Sequence, residues 1–336
     1  MNKNKHVLHP FWDFKSLRHL VAYIKKQKDA HIVIAQPQEF APLVESWWNS
    51  NKVLEYAKKI INDNNLKVEI WIGTFEPEPF SWLNHYGISV KTWPMYWAFH
   101  TEGSTSYQTY DPDAPVDRLF VSLNYRSHDH RCLFIDKIFQ RNLHHAGYIS
   151  WHDACRHVSL EHFDGSRMTL TEPDCGVDKG EFFQHAPPYE YCRAAFALIS
   201  ETTVEHMDLS EKTFTAILYK MPFILQAAPG MHKILKDYGF ELYTELFDYE
   251  FDSVNDTDIR TNMILDQVEQ YKDSNYNDLK QLVIKKASYN YDRLMSIVYD
   301  KHHKYVPKEY IKHFPRAGLT LPGNLTQRLG FNVGSQ

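Results

Sequence analysis

The sequence lacks any apolar run approaching the ~20 residues that a membrane-spanning helix needs. Its charged start, MNKNKHVLHP, is not followed by the apolar core of a signal peptide. Internal repeats and low-complexity segments are also absent from the 336 residues, a length that suits two ordinary domains. We therefore expect a cytoplasmic protein without a membrane span.

Cysteine is scarce, and basic residues are outnumbered by acidic ones. The four cysteines, Cys132, Cys155, Cys175 and Cys192, form no CxxC pair, which suits a reducing compartment. The formal net charge is -5 and the isoelectric point is near 6.4. These values exclude a surface that binds polyanions everywhere, so a nucleic acid would have to be held by a local patch.

The strongest functional signal lies in residues 195–240. A short apolar run, 195–199, has the length of a buried strand and is followed by Glu201. Ser210 then precedes apolar residues at helical spacing, so we predict that it caps a helix beginning at Glu211. A strand, a turn and a helix in this order are typical of a ligand-binding α/β unit.

The start of the predicted helix has the chemistry of an anion and sugar site. The first-turn amides and the positive end of the helix dipole suit a bound anion, and Lys212 adds a full positive charge. Glu211 adjoins that anion and can accept hydrogen bonds from sugar hydroxyls. Taken alone, both residues are also common in an ordinary solvated first turn.

Strands and helices alternate along the rest of the chain, which predicts parallel sheets. A loop rich in Gly, Ser, Asp and Pro, 101–116, separates the two halves, and we place the domain boundary after it. The predicted strands are 31–35, 68–73, 87–92, one beginning at Leu119, 147–151, 195–199 and 223–227. The predicted helices include 17–26, 52–64, 131–143 and the one that begins at Glu211, which Pro222 should end.

Two segments carry a family resemblance. The residues Glu201-Thr202, Ser210 to Phe214 and Met221 to Phe223 resemble the carboxyl-terminal half of α1,3-fucosyltransferase-like and viral or phage glycosyltransferases of the GT-B architecture. Upstream, LFVSLNYRSHDHR, which ends at Arg131, resembles another signature of that family, a strand ending in Asn with an Arg about seven residues on. The match covers roughly residues 117–245. We recognise no family resemblance in residues 1–116, so the acceptor is left open.

The resemblance implies two Rossmann-like domains whose parallel sheets face a central cleft. It implies an acceptor-binding domain (1–116), a nucleotide-sugar-binding domain (117–300) and a tail (301–336) that crosses back to the first domain. The donor would be a nucleotide-diphosphate sugar, with no metal and no cofactor. The implied donor-binding residues are Lys212 and Arg131 on the diphosphate, Glu211 on the ribose, and Arg126, Glu201, Thr202 and Ser210 around them.

An inverting transfer also needs a general base from the first domain. The candidates are Glu76 and Glu78, which follow a predicted strand, and Asp111 and Asp113 near the domain boundary. The sequence does not rank them.

The acceptor remains open between a glycan and a hydroxymethylated base in phage-type DNA, which would be flipped from the duplex in the host cytoplasm. Seven of the eight tryptophans lie before residue 100, so the first domain is rich in rings that stack on sugars or bases. A DNA acceptor would find phosphate contacts at Lys25, Lys26, Lys58 and Lys59 on the predicted helices of that domain.

Two other function classes compete with a transferase. Ligand-type side chains cluster between His152 and His162, as in a metal-dependent hydrolase or nuclease, although no known ligand signature such as HExxH occurs. A non-catalytic sugar-binding protein on the same fold is the other alternative.

Overall fold

The computed structural model describes residues 5–8, 17–36, 51–76, 78–92, 114–151, 158–166, 168 and 189–298. These residues form two four-stranded parallel sheets with helices, so the predicted α/β class is confirmed. All strands of the first sheet precede residue 116 and all strands of the second follow it. The tail 301–336 lies outside these ranges. None of the helices within them is both long and apolar enough to cross a membrane.

The first sheet has the strand order β1-β2-β3-β4, with every neighbouring pair parallel. Its elements are β1 (Lys5–Leu8), α1 (Leu17–Ile24), β2 (His31–Gln36), α2 (Asn51–Asp63), β3 (Lys67–Ile72), a 3-10 segment (Glu78–Tyr86) and β4 (Ile88–Thr92). Crossovers between parallel strands are right-handed, and here they all run in one direction across the sheet. The connecting helices therefore cover a single face.

Residue alternation in the strands separates the two faces of the first sheet. Ile32, Ile34 and Ile70 are buried with residues of α1, α2 and the 3-10 segment in one apolar cluster. Val33 and Trp71, on the opposite face, instead belong to the buried cluster that contains the second sheet. The two halves of the protein thus share a core on the side that α1 and α2 leave uncovered.

The second sheet has the strand order β6-β5-β7-β8, again with parallel pairs only. Its elements are β5 (Arg118–Asn124), α3 (Asp129–Gln140), β6 (Gly147–Trp151), β7 (Ala194–Ser200), α4 (Glu211–Leu218), β8 (Phe223–Gln226), α5 (Met231–Asp237), α6 (Thr257–Glu269) and α7 (Tyr276–Val298), with 3-10 turns at Leu143–His145, Tyr189–Arg193 and Glu250–Ser253. Helix α3 packs against α6, and α4 packs against α7.

The second sheet reverses direction between β5 and β7. The chain moves from β5 to β6 on one side, returns to β7 on the other side of β5, and continues outward to β8. Every residue of β7 is buried, as expected for a central strand. In open parallel sheets, ligands bind at the carboxyl ends of the two strands that flank such a switch point.

The carboxyl ends of the two sheets meet at a short backbone contact. Thr74, just after β3, forms an antiparallel bridge with Asp208, in the loop between β7 and α4. The amide of Phe75 donates to the carbonyl of Met207 at 2.8 Å, and the Thr74 hydroxyl donates to the same carbonyl at 2.9 Å. The Phe75 ring packs edge-on against Tyr238, with centroids 5.2 Å apart. We call this contact the junction.

Three details differ from the sequence predictions. Strand β1 was not predicted, because four residues are too few to show a period. The helix predicted over 131–143 begins at Asp129 and ends at Gln140, since Asn142 adopts a left-handed conformation with φ 55°. Helix α4 ends at Leu218 rather than at Pro222, because Lys220 is also left-handed, with φ 48°.

Gly147 generates a test of the sheet register. It opens β6 opposite Phe120 of β5, and a Cβ atom at this position would lie 2.3 Å from the Phe120 ring. We predict that Gly147→Ala lowers the free energy of unfolding by about 1–3 kcal/mol, measured by urea denaturation, because the added methyl overpacks the core. The same substitution in a Phe120→Leu background should cost less, since the ring is gone. Equal costs in both backgrounds would contradict the steric explanation.

Candidate functional site

Ser210 caps helix α4, as predicted. Its backbone is extended (φ -89°, ψ 177°), and its hydroxyl accepts a hydrogen bond from the Lys212 amide at 3.3 Å. The residue is only 2% exposed. A buried cap fixes the direction of the first helical turn, so the side chains of Glu211 and Lys212 begin from a defined position at the switch point.

Glu201 holds this cap in place from the end of β7. Its buried carboxylate accepts from the Ser210 amide at 3.1 Å, and also from the Ser210 and Thr213 hydroxyls. Its own amide donates to the carbonyl of Gln226 in β8 at 3.0 Å. Both carboxylate oxygens are therefore occupied by the start of α4, and Glu201 acts as a structural acceptor in this arrangement. Thr202, the next residue, is half-buried.

Arg131 joins the two strands of the switch point. It is 2% exposed, and its guanidinium donates to the carbonyl of Arg126 after β5 at 2.9 Å. It also donates to the carbonyls of Glu201 at 2.9 Å and Ser200 at 3.4 Å, at the end of β7. The positive charge predicted to face the diphosphate is thus present at the sheet edge, while its Nη atoms bind backbone. The side chain of Arg126 is exposed.

Glu211 and Lys212 form an ion pair at the same edge. The Lys212 ammonium lies 2.9 Å from Oε1 of Glu211 and 3.3 Å from the Ser210 hydroxyl. The side chains of Lys212 and Glu211 are 11% and 4% exposed. Oε2 of Glu211 has no hydrogen-bond partner in the structure. A buried carboxylate oxygen without a donor is costly, so this position calls for a donor such as a ligand hydroxyl or a water molecule.

Two further polar atoms at this edge also lack partners. Asn124 and Trp151 end the neighbouring strands β5 and β6 in register, so their side chains lie on the same face. Both residues are 1% exposed, and neither Oδ1 of Asn124 nor Nε1 of Trp151 has a hydrogen-bond partner in the structure. Trp151 was not identified from the sequence. The sequence feature that could have identified it is the polar indole N–H of Trp151 at the end of a mostly apolar strand.

The pKa values of two histidines indicate that positive charge is concentrated at the carboxyl edge of the second sheet. The rings of His128 and His130 stack with centroids 5.7 Å apart. Burial lowers the pKa of His128 to about 4, and burial likewise lowers the pKa of His130 to about 3. The positive charges that add to the lowering of the His128 pKa belong to Arg131, Lys212 and Arg126. Three cations therefore act on one imidazole, which describes a site suited to an anion.

The general-base candidates fall in different places. Glu76 is half-buried beside the junction, where its amide donates to the Thr74 hydroxyl at 3.3 Å. Glu78 begins the 3-10 segment and is exposed. Asp111 and Asp113 lie outside the described ranges. Asp208 is a carboxylate that the sequence did not single out; it is 5% exposed and lies at the junction itself.

Of the segment between His152 and His162, the structure describes residues 158–162, and residues 152–157 lie outside the described part of the chain. Within that part, no group of three potential metal ligands occurs. The amides of His162 and Phe163 each donate to the Asp136 carboxylate at 2.7 Å, so this segment folds around a carboxylate on α3.

The two neutral histidines generate a pH prediction. In the unfolded chain each imidazole gains a proton near pH 6.5, whereas in the folded protein it stays neutral until about pH 4 or 3. Stability is therefore lost as pH falls below 6.5, by up to about 1.4 kcal/mol per pH unit for His130 and by less for the more exposed His128. Urea titrations at several pH values between 6.5 and 5 should give a smaller slope for His130→Gln than for wild type.

The control for that experiment is a repeat between pH 8 and 9, above the range in which an imidazole gains its proton. There His130→Gln and wild type should give the same slope. A wild-type slope in His130→Gln between pH 6.5 and 5 would show that this imidazole is not held neutral by the fold.

No protein-family model, curated protein or solved structure matches this chain. The resemblance to GT-B glycosyltransferases therefore stays a prediction from the sequence, and the case for function depends on the geometry at the carboxyl edge of the second sheet.

Proposed function

We propose that the protein is a glycosyltransferase of the GT-B type that takes its sugar from a nucleotide-diphosphate donor. The observation that carries this proposal is the buried Glu211–Lys212 pair at the start of α4, next to the switch point. Lys212 offers positive charge, while Oε2 of Glu211 requires a hydrogen-bond donor. A diphosphate attached to a ribose supplies both an anion and hydroxyl groups.

The charge around the pair favours a diphosphate. Lys212, Arg131 and Arg126 together act on His128, and the amino ends of α3 and α4 lie at the same sheet edge. Positive charge held in place before the reaction stabilises the negative charge that develops on a departing diphosphate. These groups supply that charge themselves, so the proposal requires no metal ion.

The junction supports a second substrate opposite the donor. It brings the carboxyl end of β3 to the loop that precedes Ser210, so groups of the first domain lie next to the donor edge. In an inverting transfer, the anomeric carbon's bond to the diphosphate oxygen breaks, and the electron pair leaves with the nucleotide. A bond to the acceptor oxygen forms, and a carboxylate takes the hydroxyl proton. Glu76 and Asp208 are the candidates nearest the junction.

The acceptor of this reaction is a glycan or a hydroxymethylated base in phage-type DNA. A non-catalytic sugar-binding protein would bind the same donor without turnover. Incubation with a panel of nucleotide sugars, followed by mass spectrometry of the released nucleotide and of candidate acceptors, distinguishes the two. Binding without any transfer or hydrolysis across the panel would overturn the proposal of an enzyme.

The role of Lys212 can be measured directly. We expect Lys212→Ala to lower kcat/KM about 100-fold, because one preorganised charge on the leaving diphosphate is lost. The matched control is Lys233→Ala, whose side chain is 75% exposed on α5. Activity should persist in EDTA. Arg131→Ala should cost activity too, but it also removes three backbone hydrogen bonds, so its folding must be verified by circular dichroism.

The role of Glu211 separates ribose from phosphate recognition. Because Oε2 would accept from a ribose hydroxyl, Glu211→Gln should weaken binding of a nucleoside diphosphate about tenfold. Its affinity for inorganic pyrophosphate, which has no hydroxyl donor of this kind, should not fall. Lys212→Ala should weaken both ligands. Isothermal titration calorimetry measures all four affinities, and a parallel loss of both ligands in Glu211→Gln would contradict the ribose assignment.

A further inference from the structure

A second charged cluster lies in the first sheet, on the face that α1 and α2 leave uncovered. Its centre is Glu69 of β3, which is 1% exposed. The ammonium groups of Lys67 and Lys91 lie 2.5 Å and 3.3 Å from its carboxylate oxygens, and the Trp71 indole donates to it at 3.2 Å. The Lys5 ammonium lies over the Trp71 ring, 5.2 Å from its centroid. We call Lys5, Lys67 and Lys91 the lysine face.

Strand register places these groups side by side. Lys5 pairs with His31, His31 pairs with Lys67, and Trp71 pairs with Lys91. Neighbouring strands are about 4.8 Å apart, so the Cα atoms of the three lysines span roughly 15 Å across the sheet. The ammonium groups of Lys67 and Lys91 nevertheless converge on the two oxygens of one carboxylate, so a ligand with several anionic oxygens can contact both.

The lysine face carries an excess of positive charge. Burial raises the pKa of Glu69, but hydrogen bonds from Lys67 and Trp71 and the charge of Lys91 outweigh it and hold this pKa at about 2. Burial also lowers the pKa of His31, which keeps that imidazole neutral at pH 7. Lys67 and Lys91 carry two positive charges against the one negative charge of Glu69, in a chain whose overall charge is -5.

Lys67 and Lys91 remain open to a ligand. Their side chains are 54% and 50% exposed. An ammonium group has three donors, and Glu69 accepts only one from each lysine. The carboxylate therefore positions both side chains without exhausting their hydrogen-bonding capacity. This reduces the loss of side-chain entropy when an anion binds.

The lysine face begins at the amino end of β3, where Lys67 lies, and extends along the strand toward the junction. Trp71, beneath Lys5, belongs to the core cluster shared with the second sheet, and it lies three residues before Thr74 of the junction. The lysines proposed from sequence to contact phosphates are elsewhere. Lys25 follows α1 and Lys59 lies on α2, and both helices cover the opposite face.

We propose that the lysine face is a binding site for a phosphate- or carboxylate-bearing ligand, separate from the donor site. Its place in catalysis rests on the proposed transferase function: there it would hold the anionic part of the acceptor while a hydroxyl of that acceptor reaches the junction. Binding of the anion itself does not depend on that function.

The test measures binding of tripolyphosphate and citrate by isothermal titration calorimetry, in a Lys212→Ala background that weakens the donor site. The ionic strength is about 0.1 M, where the Debye length is about 10 Å. Lys67→Gln with Lys91→Gln should weaken binding at least about tenfold, because two direct charges are lost. Glu69→Gln should strengthen binding about fivefold, because a competing carboxylate is removed while an oxygen remains for Lys67. Opposite signs from neighbouring residues are not expected of a purely structural ion network.

Lys25→Gln with Lys59→Gln is the matched control, because it removes the same charge from the opposite face. It should change affinity less than about twofold, since exposed charges beyond a Debye length are screened. An equal loss in this control, or no binding of either probe to the parent protein, would overturn the inference. If the lysine double variant does not fold, Lys91→Gln alone should still weaken binding severalfold.

The outcomes separate this inference from the proposed function. Preference for tripolyphosphate over citrate would identify phosphate as the ligand chemistry, and the reverse would identify carboxylate. Sugar transfer without probe binding would overturn the lysine face alone. Probe binding that follows the expected variant pattern, in a protein with no transferase activity, would keep the anion site and overturn its role in holding an acceptor.

Discussion

The hydrogen bonds of Glu201 determine the geometry of the carboxyl edge of the second sheet. Its side chain accepts hydrogen bonds from the Ser210 amide and hydroxyl and from the Thr213 hydroxyl, and these bonds fix where α4 begins. Its backbone carbonyl accepts hydrogen bonds from the side chains of Arg131 and His130, and these bonds fix the first turn of α3. One residue at a strand end thereby positions two helix starts. Loss of its side chain would remove the acceptor of the Ser210 amide and of the Ser210 and Thr213 hydroxyls, at a cost of about 1–3 kcal/mol each.

This constraint divides the charged residues of the site into two groups. Arg131 is committed to strand-end carbonyls, so its main contribution to a ligand is the electrostatic field that it exerts from a buried position. Glu211 and Lys212 project from a helix start that is already fixed, and Glu211 keeps one oxygen without a donor. The buried cation therefore shapes the edge, while the pair on α4 has the capacity for direct contact. Discrimination between ligands would arise from the pair.

Local features of the fold were predictable from the sequence, and features that depend on strand register were not. The buried strands were visible as apolar runs, and the Ser210 cap was visible because its partner is only two residues away. The hydrogen bond from Arg131 to the carbonyl of Glu201 joins residues 70 positions apart, and no pattern in the sequence near Arg131 predicts it. The lysine face was missed for the same reason. Lys5, Lys67 and Lys91 look like unrelated surface charges until the pairing of four strands brings them together.

The strand order of the first sheet has a consequence for how the chain acquires its structure during synthesis. All its crossovers run in one direction, so its own helices cover only one face, and Val33 and Trp71 on the other face are buried in the cluster that contains β5 and β7. Residues 1–92 leave the ribosome before β5 and β7 have been synthesised. Until then the apolar side chains of Val33 and Trp71 have no cover on that face. The core of the amino-terminal half is therefore completed only after the strands of the second sheet have been synthesised.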